Sequence, residues 1–124
     1  PPYTEAAAPY LLGRAQARMN AERPREALTD YDEYFKVMNG QVNDVFYYYR
    51  EQAALKSKQY QRALDDMAKA IELNPSFAEA YYNRGLIQIY LKDTHKGCLD
   101  MSKAGELGIK EAYKVLKIYG KTDY

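Results

Sequence analysis

Shifted by 34 residues against itself, the chain repeats. Asp66, Met67, Lys69, Ala70, Glu72 and Leu73 fall on Asp100, Met101, Lys103, Ala104, Glu106 and Leu107, six identities in eight positions, with Tyr47 and Tyr48 on Tyr81 and Tyr82 upstream in the same register. A shift of 36 lays Ala27, Leu28 and Asp30 on Ala63, Leu64 and Asp66, with Tyr31 over Met67. A period of this length restricts the chain to stacked architectures, because a unit this small cannot bury its apolar face alone.

Within each period the apolar spacing is helical. Ala63, Leu64, Met67, Ala70 and Ile71 form one stripe of an amphipathic helix. Breakers fall where helices should stop: Asn39-Gly40 and Gly108 as left-handed stops, Pro75 just past Leu73-Asn74, and short connectors near Lys58-Gln59 and Lys92-Asp93. Pro24 suits a first helical turn, where a missing N–H costs nothing. No alternating run bounded by hairpin turns signals a strand. The reading is seven helices, about 6–21, 24–38, 43–57, 60–73, 77–91, 94–107 and 109–119, with Pro9 either kinking the first or marking its true start.

This pattern resembles the tetratricopeptide repeat, a 34-residue helix–turn–helix unit with the signature W-x2-L-G-x2-Y, A-x3-F and P. Tyr47, Ala63-x3-Met67 and Pro75 answer it in the second unit, Tyr81, Gly85 and Gly97-x3-Met101 in the third, and Leu11 with Ala27-x3-Tyr31 in the first. Arg50 and Arg84 replace the Leu, Glu51 replaces a Gly, Ala54 and Gln88 replace the later Tyr, and Asn39 stands where the first unit's Pro would be. Longer Sel1-like repeats are the related alternative near Lys96-Gly97 and Ala104-Gly105, and the 34-residue spacing argues against them. The resemblance implies an all-α fold: a right-handed α-solenoid of antiparallel helix pairs, about seven helices in one domain. Its repeats would lie at about 8–41, 44–77 and 78–109, with a capping helix at about 110–119. Ala112, Val115, Leu116 and Tyr119 would face inward on that cap, with Lys114 and Lys117 outward. Ala63, Ala70, Gly97 and Ala104 are small because close helix approach leaves no room for branching.

In this family the first helix of each pair lines a concave face that binds peptides or helices. The matching positions are Leu12 and Gln16, with Met19 extending the line; Tyr48, Tyr49, Gln52 and Leu55; and Tyr82, Asn83, Leu86, Ile89 and Tyr90. Tyr48 and Tyr82 are the expected anchors. Relatives that grip a C-terminal carboxylate place basic and amide side chains at positions held here by Leu12, Gln16, Tyr49, Glu79 and Asn83, none of them basic. The resemblance therefore implies a non-catalytic protein–protein interaction scaffold with a tyrosine-rich groove and no carboxylate clamp. A structural, self-associating module and a regulatory repeat region of a larger protein are the alternatives.

Composition sharpens the choice of partner. Fourteen Tyr, three Phe and no Trp favour half-wet groove walls. Eighteen Lys and Arg against 17 Asp and Glu give a formal charge of +1, without the basic footprint that nucleic acid requires. No apolar run is long enough for membrane insertion. Cys98, the single cysteine, reads as a small buried thiol on a second helix, and His95, the single histidine, as a solvated connector residue; together with Asp93 they make no convincing metal set. The carboxylate runs Asp65-Asp66 and Asp30 with Asp32-Glu33 read as solvated helix faces, and phosphate-cradling glycine motifs are missing. No cofactor and no catalytic residue is expected. The chain opens on Pro1, and Pro2 stands near where an upstream repeat would end, so further repeats or a domain before residue 1 are expected. Compartment is not legible: cytoplasm is favoured, with periplasm or secretion as alternatives.

Overall fold

The computed structural model describes residues 4–120. After a 3-10 turn at Glu5–Ala7, seven α-helices follow among these residues: α1 (Ala8–Asn20), α2 (Pro24–Val37), α3 (Asp44–Lys56), α4 (Tyr60–Leu73), α5 (Ala78–Tyr90), α6 (Thr94–Glu106) and α7 (Glu111–Tyr119). The described residues contain no strand. Each helix agrees with its sequence-based span to within two residues. Pro9 sits in the first turn of α1, so it marks the start and does not kink the helix. Pro24 opens α2. Asn43 caps α3, its side chain accepting from the Phe46 N–H at 2.9 Å. The expectation attached to Pro2 lies outside the described residues.

Periodicity reaches the backbone of the turns. Glu22, Lys58 and Lys92, 36 and 34 residues apart, all take the left-handed conformation, with φ of 58°, 61° and 73°. In each case the next residue closes the helix end: the N–H groups of Arg23, Gln59 and Asp93 donate to the carbonyls of Arg18, Ala54 and Gln88 at 2.7–2.9 Å. Asn39, Gly40 and Gly108 make left-handed stops after α2 and α6, as their residue types indicate.

The chain divides into two compact units, one ending at Ala63 and one beginning at Leu64. In the first, α1 packs on α2 and α2 on α3. Leu11, Ala15, Ala27, Leu28 and Tyr31 are buried there. The core continues into an aromatic cluster in which Phe46 meets Tyr31 edge-on at 6.0 Å and stacks on Tyr34 at 5.3 Å. Arg50 replaces the Leu of the repeat pattern because its flat guanidinium covers this cluster, 4.8 Å from the Phe35 ring centre and 5.2 Å from that of Phe46. Asp32 holds the outer side, accepting from Arg62 at 2.6 Å and from Arg50 at 3.4 Å.

In the second unit α5 packs on α6 and α6 on α7. A Cβ added at Gly97 would lie 2.5 Å from Ile89 Cγ1 and 2.8 Å from the Gly85 carbonyl oxygen, so these two glycines set the close approach of α5 and α6. Ile89, Met101, Ala104 and Ala112 form the core, flanked by Tyr81, Tyr82, Ile109, Val115 and Leu116. On α7, Lys114 and Lys117 are exposed as expected, but so are Tyr113, Ile118 and Tyr119, so Tyr119 does not turn inward and the outer side is not purely polar.

Two sequence-based readings are corrected. The carboxylates of Asp30 and Asp66 are not on solvated faces: both residues are buried, Asp30 with no exposed surface. A buried carboxylate needs charged or hydrogen-bonding partners, and Asp30 has them in Arg14 and Arg18. His95 lies in the first turn of α6 and not in the connector before it. Cys98 is buried, as its position beside Gly97 indicates.

Candidate binding surface

Helical spacing puts Gln16, Met19 and Asn20 on one stripe of α1, and Tyr49, Gln52 and Lys56 on one stripe of α3. With Tyr31 of α2, these seven side chains enclose a recess of about 170 Å³ in the first unit. Gln16 Nε2 donates to Asn20 Oδ1 at 3.2 Å, which orients two amides along the α1 wall. Across from them Tyr49 is 45% exposed, and the Tyr48 ring leans on its ring at a centroid distance of 6.0 Å. The Tyr31 phenol is pushed up from its ordinary pKa, first by burial and then by Tyr49 and Asp30, so it stays neutral and able to donate. The recess thus offers amide donors and acceptors, two phenols, a thioether and one ammonium group. That set matches the alternating N–H and C=O groups of an extended chain, and the Tyr49 ring offers an apolar contact beside them.

Next to Tyr31 in the chain lies a buried ion cluster outside the recess. Asp30 accepts from Arg14 Nη2 at 2.7 Å and from Arg18 Nη1 at 2.9 Å. The second unit repeats the device one residue type apart: Asp100 receives a two-pronged Arg84 fork at 2.7 and 2.9 Å, and Gln88, with its amide nitrogen turned inward, donates to the same carboxylate at 2.8 Å. The Arg84–Asp100 hydrogen bond raises the Arg84 pKa above its ordinary value. Arg14 corresponds to Arg84 and Arg18 to Gln88, so two departures from the repeat signature, Arg84 and Gln88, are partners of a buried Asp.

Of the eleven positions expected from the sequence, Gln16, Tyr49 and Gln52 meet in the recess. Leu12 stands exposed on α1, and Tyr48 and Leu55 are half-buried on α3. On α5, Leu86 and Tyr90 are exposed and Asn83 is half-buried. Tyr82 is half-buried because it packs against the core. Ile89 is corrected outright: only 9% exposed, it belongs to the core beneath Gly97 and lines no open surface. Asn20, Tyr31 and Lys56 were not anticipated. Lys56 could have been found, since it continues the Tyr49–Gln52 stripe by one turn. Tyr31 could not, because it comes from a second helix and occupies the A-x3-F position, which ordinarily reads as core. No group of three His, Cys, Asp or Glu side chains among the described residues could hold a metal ion.

Comparison with known proteins agrees with the helix pairs. A TPR repeat profile matches residues 52–89. Tetratricopeptide repeat protein 28 of Mus musculus is 43% identical over 49 residues, 40% of this chain, and its Homo sapiens counterpart matches equally; the chain spans only 2% of the length of either. Among solved structures, MamA superposes with a TM-score of 0.85 at 21% identity, over 94% of this chain and 68% of its own. The Arabidopsis OM64 TPR domain gives 0.83 at 24% identity, over 94% and 97%. The first TPR of Spaghetti (RPAP3), solved with the HSP90 peptide SRMEEVD, gives 0.82 at 22% identity, over 95% and 94%. A TPR repeat is thus recognised at residues 52–89, and the seven helices of the described residues share the all-α fold of these solved repeat structures.

Proposed function

We propose that this chain is a non-catalytic interaction module, and that the first unit holds an extended segment of another protein in the recess between α1 and α3. The carrying observation is the recess itself, where Gln16, Asn20 and Gln52 stand around a half-exposed Tyr49. Support of a general kind comes from the structural neighbour that binds the HSP90 peptide SRMEEVD. Such a peptide carries an acidic end, and Leu12, Gln16, Tyr49, Glu79 and Asn83 supply no basic group at the matching positions. The preferred segment is therefore held by amide and aromatic contacts, with Lys56 as the single cation of the recess. Leu12, Tyr48 and Leu55 extend that surface in the first unit, and Asn83, Leu86 and Tyr90 form the corresponding face of α5.

Peptides selected from a random display library against the chain test this reading. Tyr49→Ala combined with Gln52→Ala is expected to weaken the selected peptides by about 2 kcal/mol, roughly thirtyfold. SRMEEVD itself is expected to bind less well than they do. Unchanged affinity in the double variant removes the recess as the site. Self-association is the second reading, favoured by exposed Ile118 and Tyr119 on α7. A mass that rises with concentration in light scattering, and falls back with Ile118→Lys, would support it.

A further inference from the structure

A second recess, about 450 Å³, lies at the turn edge of the first unit and shares only Lys56 with the one described above. Its walls are Glu22–Glu26 before and at the start of α2, and Lys56–Lys58 at the end of α3. Four cations face two carboxylates there. Arg23 is paired with Glu26, which Arg18 also approaches at 4.0 Å. Arg25, Lys56 and Lys58 have no ion-pair partner among the described residues. α2 begins uncapped: the Arg23 side chain makes no cap hydrogen bond, Pro24 has no N–H, and the N–H groups of Arg25 and Glu26 have no acceptor among the described residues. The first turn holds Arg25 beside Glu26, and because the Glu26 carboxylate is taken up by Arg23, the charge of Arg25 and the free N–H groups are left to favour an incoming anion. Independently, Ser57 borders the recess, is only 6% exposed, and its Oγ has no hydrogen-bond partner. Buried hydroxyls are ordinarily satisfied, and this one, at the wall of the recess, lacks a partner.

We propose that this recess is an oxyanion site that takes a phosphoryl or carboxylate group. The N–H groups of Arg25 and Glu26 and the side chains of Arg25, Lys56 and Lys58 would donate to its oxygens, with the Ser57 hydroxyl as a further donor. The site is separate from peptide binding in the neighbouring recess and stands or falls without it.

Titrations of the isotopically labelled chain, followed through its backbone amide signals, test the proposal with three probes: inorganic phosphate, N-acetyl-phosphoserine amide and N-acetyl-aspartate amide. Saturable shifts confined to residues 23–26 and 56–58, absent with sodium chloride of equal ionic strength, are expected. Arg25→Gln with Lys58→Gln should weaken them by about tenfold or more, while Lys36→Gln with Lys103→Gln should leave them unchanged. Tighter saturation by phosphoserine amide assigns the site to a modified side chain, by phosphate to a free anion, and by aspartate amide to an acidic residue; each supports the oxyanion site. The double variant should also melt no lower than the parent, since it removes unpaired positive charge beside a helix start. Absence of saturation with all three probes, shifts spread over the lysines of the whole chain, or a lower melting temperature in the variant would overturn the proposal.

Discussion

Asp30 has no exposed surface and is held by two arginines one helical turn apart, Arg14 and Arg18. The arginines themselves keep about a quarter of their side-chain surface in water, 28% and 25%. Removing the carboxylate therefore strands two partly solvated cations and not fully buried ones. Asp30→Asn is expected to cost about 2–3 kcal/mol, below the figure for a wholly buried pair. Urea unfolding should show a lower midpoint with an unchanged slope. The same spacing of sixteen residues separates Arg84 from Asp100 in the second unit and, in sequence, Arg50 from Asp66. Tyr31 gives a pH test at the same scale. Its folded pKa is raised above 10.0, so the folded state keeps a proton that the unfolded chain has released. Stability linked to this group is fully present below about pH 10 and is lost as pH rises above it. Tyr31→Phe should flatten that alkaline loss in unfolding curves, and an equal loss in the variant would assign it elsewhere.

At the scale of helices, glycine separates what packing needs from what it does not. Gly97 faces backbone and Ile89 at less than 3 Å, whereas a Cβ at Gly13, in the interior of α1, would meet nothing within 4 Å. Gly97→Ala should destabilise by about 1–3 kcal/mol through forced separation of α5 and α6. Gly13→Ala should stabilise by about 0.5–1 kcal/mol by restricting the unfolded chain. Thermal unfolding of the two variants should move in opposite directions. The helices were legible because their signals are local: an apolar stripe, a Pro in the first turn, a Gly or Asn at the stop. The non-glycine turns at Glu22, Lys58 and Lys92 carry no such letter, and only their period exposes them. The buried aspartates were illegible for a related reason. Asp30 beside Asp32 and Glu33 has the composition of a wet face, and its burial follows from an arginine on another helix. Ile89 misled in the opposite sense, since its register along α5 matched the open line while Gly97 drew it into the core.

At the scale of the whole molecule, the repeat explains both the fold and its division of labour. Small residues on the second helices, Ala27, Ala63, Ala70, Gly97 and Ala104, are all buried, which leaves amides and tyrosines of the first helices to meet solvent. Three of eleven expected binding positions converge in the recess of the first unit, because helical spacing alone places residues on a stripe but not opposite another stripe. An aromatic and amide-lined surface with Lys56 as its one cation matches a chain whose formal charge is +1 and which carries fourteen tyrosines. The most direct measurement is the location of a library-selected peptide on the isotopically labelled chain. Interaction by amide and tyrosine contacts predicts perturbed backbone signals concentrated at residues 16–20 and 49–56 and tenfold or weaker dependence of affinity on salt between about 50 and 500 mM. Perturbations confined to α7, or a bound state that dissolves entirely in moderate salt, would contradict it.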